Sequence, residues 1–195
     1  GLQDSRARVL VADAEMLPRL AEVASDLPFE FIVTNGRREV DIPGVTMIDL
    51  AQFAGLAPVE PEPSARFCDT AAVLWTSGTT GKPKGVMQSH NVWISGSEHA
   101  IGNFQLREGD VLYCCLPTYN SAAWIAAVYP ALIAGISFGL DPRFSPKTYW
   151  ERTRFYGATH SFTLGAMTIF LWQAPPRPDD RDNPVRVAST IPIPE

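Results

Sequence analysis

Short apolar runs alternate with helix-spaced apolar residues over the first third of the chain. The runs at 8–12, 29–33 and 45–48 are typical of buried strands. Between the first two runs, the apolar residues within 16–23 recur at helical spacing, and Asp13 is placed to cap that helix. The pattern predicts strand, helix and strand in succession, which is the repeat from which parallel sheets are built.

The remainder of the chain continues this alternation. Residues 70–75 read as a buried strand, 91–103 as a helix, and 145–157 as an amphipathic helix that ends at Gly157. Further predicted elements are a strand at 158–164, a helix at 165–173, a solvated proline-rich loop at 174–184 and a strand at 185–190. Together these elements predict an α/β fold with mostly parallel sheets flanked by helices.

One long segment, 111–140, contains no charged residue and is long enough to span a bilayer. Prolines at 117 and 130 and glycines at 135 and 139 divide it into shorter pieces. We therefore expect a strand, a loop, a buried helix and a second strand here, with no membrane span.

A proline- and glutamate-rich stretch at 57–66 continues neither helix nor strand. It predicts a surface linker between a βαβ segment at 1–56 and a larger α/β segment at 67–195. No internal repeat is visible in the sequence.

Composition excludes several classes of protein. The net charge of −5 and the absence of any lysine- or arginine-rich run argue against a nucleic-acid-binding protein. The three cysteines, Cys68, Cys114 and Cys115, fit neither a disulfide framework nor a zinc-site spacing. Reduced thiols in a cytoplasmic protein are the expected state, and no metal site is predicted from the residues of this chain.

The strongest local signal is the sequence WTSGTTGKPKG at 75–85, which follows the predicted strand at 70–75. Its three glycines permit close approach of the backbone, its four hydroxyl side chains add donors, and its two lysines add positive charge. A polyphosphate is the ligand that this combination favours, although a mobile serine- and glycine-rich surface loop is the structural alternative. The spacing matches neither the Walker P-loop nor the G-x-G-x-x-G dinucleotide motif.

The segment TSGTTGKPKG resembles the phosphate-binding signature of the adenylate-forming superfamily, which includes acyl-CoA synthetases, luciferases and adenylation domains. DTAAVLW before it, GVMQSHNVW after it and LPTYN at 116–120 are similar to neighbouring motifs of that family. The tract at 154–188 looks most like acyl-CoA ligases of the carnitine/crotonobetaine type. The resemblance covers nearly the whole chain and implies the N-terminal domain of an adenylate-forming enzyme.

This resemblance implies an ATP-dependent ligase that activates a small-molecule carboxylic acid as acyl-adenylate, releases pyrophosphate and transfers the acyl group to coenzyme A. Mg²⁺ is implied as the ion on the phosphates. The implied phosphate-binding residues are Thr76, Ser77, Gly78, Thr79, Thr80, Gly81 and Lys84. Lys82 is a less certain partner, and His90 is either the family's histidine or a structural residue beside the cap Ser89.

Three residues fall where family members place the acyl site, namely Tyr119, Asn120 and Trp124. Asn120 departs from the histidine common at its position, and an amide cannot titrate as imidazole does. Trp124 either lines the acyl pocket or packs in the core. His99 and His160 are expected to be structural.

Family members are more than twice as long, and we expect their main catalytic residues and C-terminal domain to lie outside this chain. The chain alone is then expected to be inactive. A non-catalytic nucleotide- or acyl-binding module derived from the same family is the alternative. The acid that is activated, a carrier-protein thiol in place of coenzyme A, and the oligomeric state are left open by the sequence.

Overall fold

The computed structural model describes residues 2–23, 26–62, 64–76 and 81–193. The chain divides into two compact units: residues 1–64 with 75–86 form the first, and residues 65–74 with 87–195 form the second. The boundary between the two units at residues 64 and 65 lies within the predicted linker at 57–66.

The first unit contains a three-stranded parallel sheet in the order β1-β2-β3. Its strands are β1 (Val9–Asp13), β2 (Phe31–Asn35) and β3 (Thr46–Asp49). All three predicted strands are present, each beginning one or two residues later than the apolar run suggested. Helix α1 (Leu2–Ser5) precedes β1, a 3₁₀ turn at Ala14–Met16 and helix α2 (Leu17–Ala21) lie between β1 and β2, and another 3₁₀ segment at Leu50–Gly55 follows β3.

The core of this unit forms where α2 packs on the sheet. Leu17 and Leu20 of α2 and Ile32 of β2 are buried in one cluster. Pro18 lies in the first turn of α2, where its missing N–H costs no intrahelical hydrogen bond. The predicted cap at Asp13 is wrong, because this carboxylate instead accepts a hydrogen bond from the side chain of Asn35 at 3.1 Å.

A two-stranded sheet surrounds the glycine-rich sequence and differs from the prediction in two ways. Its strands are β4 (Thr70–Thr76) and β5 (Lys84–Ser89), and β5 was not predicted. β4 was expected to be buried, but Val73 and Trp75 are 47% and 41% exposed. The apolar run predicted the strand β4 correctly. Among the described residues, however, β4 pairs only with β5, and this two-stranded sheet leaves both faces of β4 largely exposed to solvent.

Helix α3 (His90–Phe104) follows β5 directly. The Ser89 hydroxyl caps it by accepting a hydrogen bond from the backbone N–H of Val92 at 3.3 Å. The buried residues of α3 recur every three or four positions, as expected for one apolar face: Trp93, Ser97, Ala100 and Phe104.

The second unit contains a four-stranded sheet whose described pairings are all parallel, in the order β7-β6-β8-β9. Its strands are β6 (Val111–Cys114), β7 (Ser137–Leu140), β8 (His160–Leu164) and β9 (Val187–Ile191). The connections are helical, as a parallel sheet requires. They contain α4 (Ser121–Ala123), a π-helical turn at Trp124–Val128, α5 (Tyr129–Ala134), α6 (Tyr149–Tyr156) and α7 (Gly165–Trp172).

The charge-free segment is resolved into the predicted strand, loop, helix and strand. Residues 112–116, in β6 and its continuation, are buried, and the helical stretch 121–134 ends at Gly135, whose φ of +66° suits glycine. Gly157 ends α6 in the same way, with a φ of +62°. No helix within the described residues is long and apolar enough to cross a membrane.

Candidate functional site

The glycine-rich sequence connects β4 to β5, and the structure describes its two flanks. Thr76 ends β4, and its hydroxyl donates to the backbone carbonyl of Lys84 at 3.5 Å. Gly81 has a φ of +80°, a conformation that side-chain-bearing residues rarely adopt. The predicted residues Ser77, Gly78, Thr79 and Thr80 lie outside the described residues, so their role in phosphate binding stays a prediction.

Both lysines of this sequence are exposed, and Lys84 is the first residue of β5. Neither lysine forms an ion pair with any residue in the described ranges. The structure thus places Thr76 beside Lys84, in a sequence that carries two positive charges without an ion-pair partner among the described residues. That combination suits an anionic ligand.

The second candidate region is the carboxyl edge of the four-stranded sheet. The chain passes from β6 to β7 on one side, whereas β8 and β9 lie on the other side of β6. The winding direction therefore reverses between β6 and β8, and ligands of open α/β sheets bind at the carboxyl ends of strands beside such a point.

A cavity of about 400 Å³ opens at this edge after the ends of β6 and β7, on the β7 side of β6 and not at the reversal between β6 and β8. We call it the edge cavity; its lining residues are Leu116, Pro117, Thr118, Tyr119, Leu140, Asp141 and Pro142. Its size falls within the range of small-molecule sites, and most of its lining is apolar.

Of the three residues predicted for the acyl site, only Tyr119 lines the edge cavity, and its side chain is 84% exposed. The Asn120 carboxamide oxygen accepts a hydrogen bond from the backbone N–H of Ala122 at 2.9 Å and so caps α4. Asn120 therefore has an observed structural role, and substrate contact by this residue stays a prediction.

Trp124 connects the loop after β6 to the helical layer. Its indole Nε1 donates to the carbonyl of Thr118 at 2.6 Å, while its ring lies 6.2 Å from that of Trp93 and 6.1 Å from that of Tyr129. The π-helical turn begins at this residue, and such turns are frequent at functional sites. Trp124 fixes one wall-forming loop of the edge cavity, although it does not line the cavity itself.

Asp141, which follows β7, is the one charged residue that lines the edge cavity among the described residues. Its Oδ1 accepts from Arg152 Nη2 at 2.7 Å and from the Tyr156 hydroxyl at 2.9 Å. Its Oδ2 accepts from Arg152 Nε at 2.8 Å and from the Tyr113 hydroxyl at 2.9 Å. Hydrogen bonds from Arg152 hold the pKa of Asp141 below its usual value, with smaller contributions from the two tyrosines.

Asp141 and Arg152 were not among the predicted site residues. A usable signal was present, since Asp141 is the first charged residue after the uncharged segment and directly follows a strand end. Its partner lies on the next helix, 11 residues along the chain.

The buried cysteines are poor candidates for nucleophiles. Cys114 and Cys115 are free thiols at the end of β6. Burial raises the pKa of both, that of Cys115 to about 12, which keeps these groups as unreactive thiols near neutral pH.

A second buried polar cluster lies at the opposite, amino edge of the sheet. His160 Nε2 is 2.9 Å from the carbonyl of Phe104, and Nδ1 is 2.8 Å from the Thr159 hydroxyl. A carbonyl only accepts, so Nε2 carries the proton. Burial lowers the pKa of His160, and the neutral ring is the form that these contacts suit. This agrees with the structural role expected for His160.

Nearly the whole chain matches a known protein family and its members. A model of the family described as AMP-binding enzyme matches residues 1–191. A medium/long-chain-fatty-acid–CoA ligase of Mycobacterium tuberculosis is 32% identical over 191 residues, covering 96% of this chain and 30% of the relative. A crotonobetaine/carnitine–CoA ligase of Salmonella typhi is 30% identical over 187 residues, covering 95% of this chain and 36% of the relative.

Solved structures show the same fold. The anthranilate CoA ligase AuaEII in complex with anthranoyl-AMP matches with a TM-score of 0.82 at 19% identity, over 97% of this chain and 37% of that chain. The chain thus spans about a third of the length of the relatives it matches.

Proposed function

The chain belongs to the AMP-binding enzyme family, and from this premise we propose that it is part of an ATP-dependent acyl-CoA ligase. The carboxylate of the acid attacks the α-phosphorus of ATP and displaces pyrophosphate, which gives an acyl-adenylate. The thiol of coenzyme A then attacks the acyl carbonyl and displaces AMP. The observation that carries the proposal is the family match over residues 1–191 of a chain whose glycine-rich loop suits a polyphosphate.

The first step needs no nucleophile from the protein, because the carboxylate is one already. The protein's contribution is to hold two anions in reacting geometry and to offset the charge on the phosphates. We assign phosphate binding to the sequence between β4 and β5. Thr76 and Gly81 place hydroxyl and backbone groups there, and Lys84 supplies a positive charge that no described side chain neutralises.

We assign the acyl group to the edge cavity. Its position at the carboxyl edge of a parallel sheet, its volume of about 400 Å³ and its apolar lining all suit the hydrocarbon part of a carboxylic acid. Tyr119 contributes the aromatic ring at its mouth.

Mg²⁺ and coenzyme A are proposed as the ion and the acceptor. Within the described ranges no group of three His, Cys, Asp or Glu side chains could hold a metal ion. Mg²⁺ commonly binds through substrate phosphates and water with few protein ligands, so phosphate-bound Mg²⁺ fits the donor set of this chain. Its chemistry there would be to offset phosphate charge. The free cysteines favour a cytoplasmic location.

Acid-dependent exchange of labelled pyrophosphate into ATP tests the proposal, with the intact parent protein and a panel of carboxylic acids. We expect at least one acid to drive exchange, and thioester to form when coenzyme A is added. Nucleotide binding without exchange for any acid would instead favour the non-catalytic module. The chain alone serves as the comparison and is expected to bind ATP weakly without exchange.

A further inference from the structure

The segment between β6 and α4 forms one wall of the edge cavity, and we call residues 117–120 the wall loop. Three residues of the cavity lining, Pro117, Thr118 and Tyr119, belong to it. The base of the wall loop is closed, because the backbone N–H of Asn120 donates to the Pro117 carbonyl at 2.9 Å. The conformation of this turn therefore sets the shape of one side of the cavity.

A contact from outside the wall loop holds its middle. The indole Nε1 of Trp124 donates to the carbonyl of Thr118 at 2.6 Å, six residues back along the chain. Tryptophan has only two side-chain torsions, so its ring holds a hydrogen-bonded partner at little cost in conformational entropy. The bond restrains the peptide that joins Thr118 to Tyr119, and with it the point from which the Tyr119 side chain leaves the backbone.

The Trp124 ring is itself anchored in an aromatic cluster. It lies 6.2 Å from the Trp93 ring, edge to face, and 6.1 Å from the Tyr129 ring. Trp93 is 4% exposed and stacks on Tyr129 with 5.7 Å between ring centroids. Aromatic pairs in these geometries attract each other beyond the effect of buried area. The donor is thus held by α3 and α5, and not by the loop to which it donates.

The π-helical turn that begins at Trp124 lets both neighbouring rings reach Trp93. In this turn the backbone N–H of Tyr129 donates to the Trp124 carbonyl, five residues back. On a regular α-helix, positions five apart point roughly 140° away from each other, and the wider turn reduces that angle. Helix α3 packs closely against the turn, since a Cβ on Gly96 would lie 3.0 Å from Cγ2 of Ile125. The local helix geometry therefore decides where the indole N–H points.

We infer that Trp124 is a positioning residue for acid binding, which acts through the Thr118 carbonyl and the wall loop without contacting the acid. This inference rests on the proposed function, because the acid is assigned to the edge cavity there. Loss of the hydrogen bond weakens binding of the acid. It leaves nucleotide binding unchanged, since the residues assigned to the phosphates lie in another sequence, between β4 and β5.

The test is the Trp124→Phe variant, which removes the N–H donor and keeps an aromatic ring in the cluster. Pyrophosphate exchange is measured in the intact protein with the carboxylic acid that drives exchange fastest. We expect the KM for the acid to rise ~5-fold, as for one lost hydrogen bond, while kcat and the KM for ATP stay within ~2-fold.

The outcomes separate the inference from the proposed function. An unchanged KM for the acid would overturn the inference and leave the proposed function standing. A loss of similar size in kcat and in both KM values would indicate a general structural defect and would also overturn the inference. No exchange with any acid in the unaltered protein would overturn the proposed function, and the inference with it.

Trp93→Phe is the matched control. It makes the same change in the same aromatic cluster, but the hydrogen bond to Thr118 comes from the other indole. We expect the KM for the acid to stay within ~2-fold of its unaltered value, even if the variant is less stable. Equal increases in the two variants would make ring packing the cause, and the inference would be wrong.

Hydrogen exchange of backbone amides gives a readout that does not depend on activity. A peptide covering 116–123 reports on the order of the wall loop, because the Asn120 amide closes that loop. We expect Trp124→Phe to speed exchange in this peptide by ~5-fold and to leave the second half of α3 unchanged. Unaltered exchange at 116–123 would overturn the inference.

Benzothienylalanine at position 124 decides the matter if Trp124→Phe does not fold. This residue keeps the bicyclic ring and replaces the N–H with sulfur, so that packing in the cluster is preserved. We expect the same rise in the KM for the acid and the same faster exchange at 116–123. A protein that fails to fold even with this replacement would make the bond a requirement of folding, and the inference would be wrong.

Discussion

Asp141 is 8% exposed and accepts four hydrogen bonds from residues of β6 and α6. A charge in such a position is tolerated because its partners replace the water that it has lost. Removing one member leaves the others with unsatisfied groups, so the network is expected to matter more for stability than the exposed ion pairs of this chain.

We expect Asp141→Ala to lower the free energy of unfolding by ~3 kcal/mol, because it leaves a guanidinium and two tyrosine hydroxyls without their acceptor. Urea denaturation of the chain measures this change. The control is Glu30→Ala, which removes an exposed partner of Arg8 and should leave the midpoint nearly unchanged. Equal midpoint shifts in the two variants would contradict this account of the network.

The stability of the folded chain is expected to depend on pH through His160. Burial lowers its pKa in the folded chain, although the nearby Asp110 opposes part of that shift. The unfolded chain therefore binds a proton more readily than the folded one, and stability is lost as the pH falls below about 6.5. The pKa values of Asp110 and Asp141 are also lowered, but their contribution is lost only in more acidic solution, below about pH 4.

We expect His160→Gln to reduce the loss of stability between about pH 7.5 and pH 5.5. The glutamine amide can still donate to the Phe104 carbonyl but does not titrate in this window. Urea unfolding at the two pH values provides the measurement. A variant that loses as much stability as the unaltered chain would show that another group is responsible.

At the level of elements, the sequence predicted most strands and helices because their apolar periodicity is local. The 3.6-residue pattern of 91–103 became α3, and the three apolar runs of the first unit became β1 to β3. β5 was missed because Lys84–Ser89 is short, mixed in polarity and preceded by glycine and proline. Its strand conformation comes from pairing with β4, and a partner strand is not visible in a local window.

Glycines within elements show why local propensity is insufficient. A Cβ on Gly139 of β7 would lie 2.6 Å from Cγ of Tyr156, whose ring is held by the Asp141 network. A Cβ on Gly102 of α3 would meet nothing within 4 Å. The same substitution should therefore have opposite effects in the two elements.

We expect Gly139→Ala to destabilise the chain by ~2 kcal/mol through overpacking. Gly102→Ala should stabilise it by up to ~1 kcal/mol, because alanine favours a helix interior. Thermal or urea unfolding of both variants measures the difference. A neutral Gly139→Ala variant would mean that the tyrosine ring can move without cost.

For the whole molecule, the family was predictable because its phosphate-binding motif is contiguous in sequence. The edge cavity was predicted only in part, through Tyr119. Its wall joins the loop after β6 to the end of β7, and Asp141 meets Arg152 only because the crossover from β7 to β8 carries α6 past that strand end. Contacts of this kind depend on topology, which a single sequence indicates only in outline.

We propose that the loop between β4 and β5 binds the triphosphate and that the edge cavity binds the acyl group. Triphosphate binding by the loop is the more fundamental of the two, because it decides whether the protein uses ATP through this sequence. Lys84 is the described residue of the loop with the most direct charge contribution.

Pyrophosphate-exchange kinetics of Lys84→Ala in the intact protein test that claim most directly. Lys147→Ala serves as the control, since Lys147 is also exposed and lies outside both candidate sites. We predict that the KM for ATP rises by ~10-fold or more in Lys84→Ala while the KM for the acid changes little. The control should match the unaltered protein. Unchanged ATP kinetics in Lys84→Ala would contradict the account.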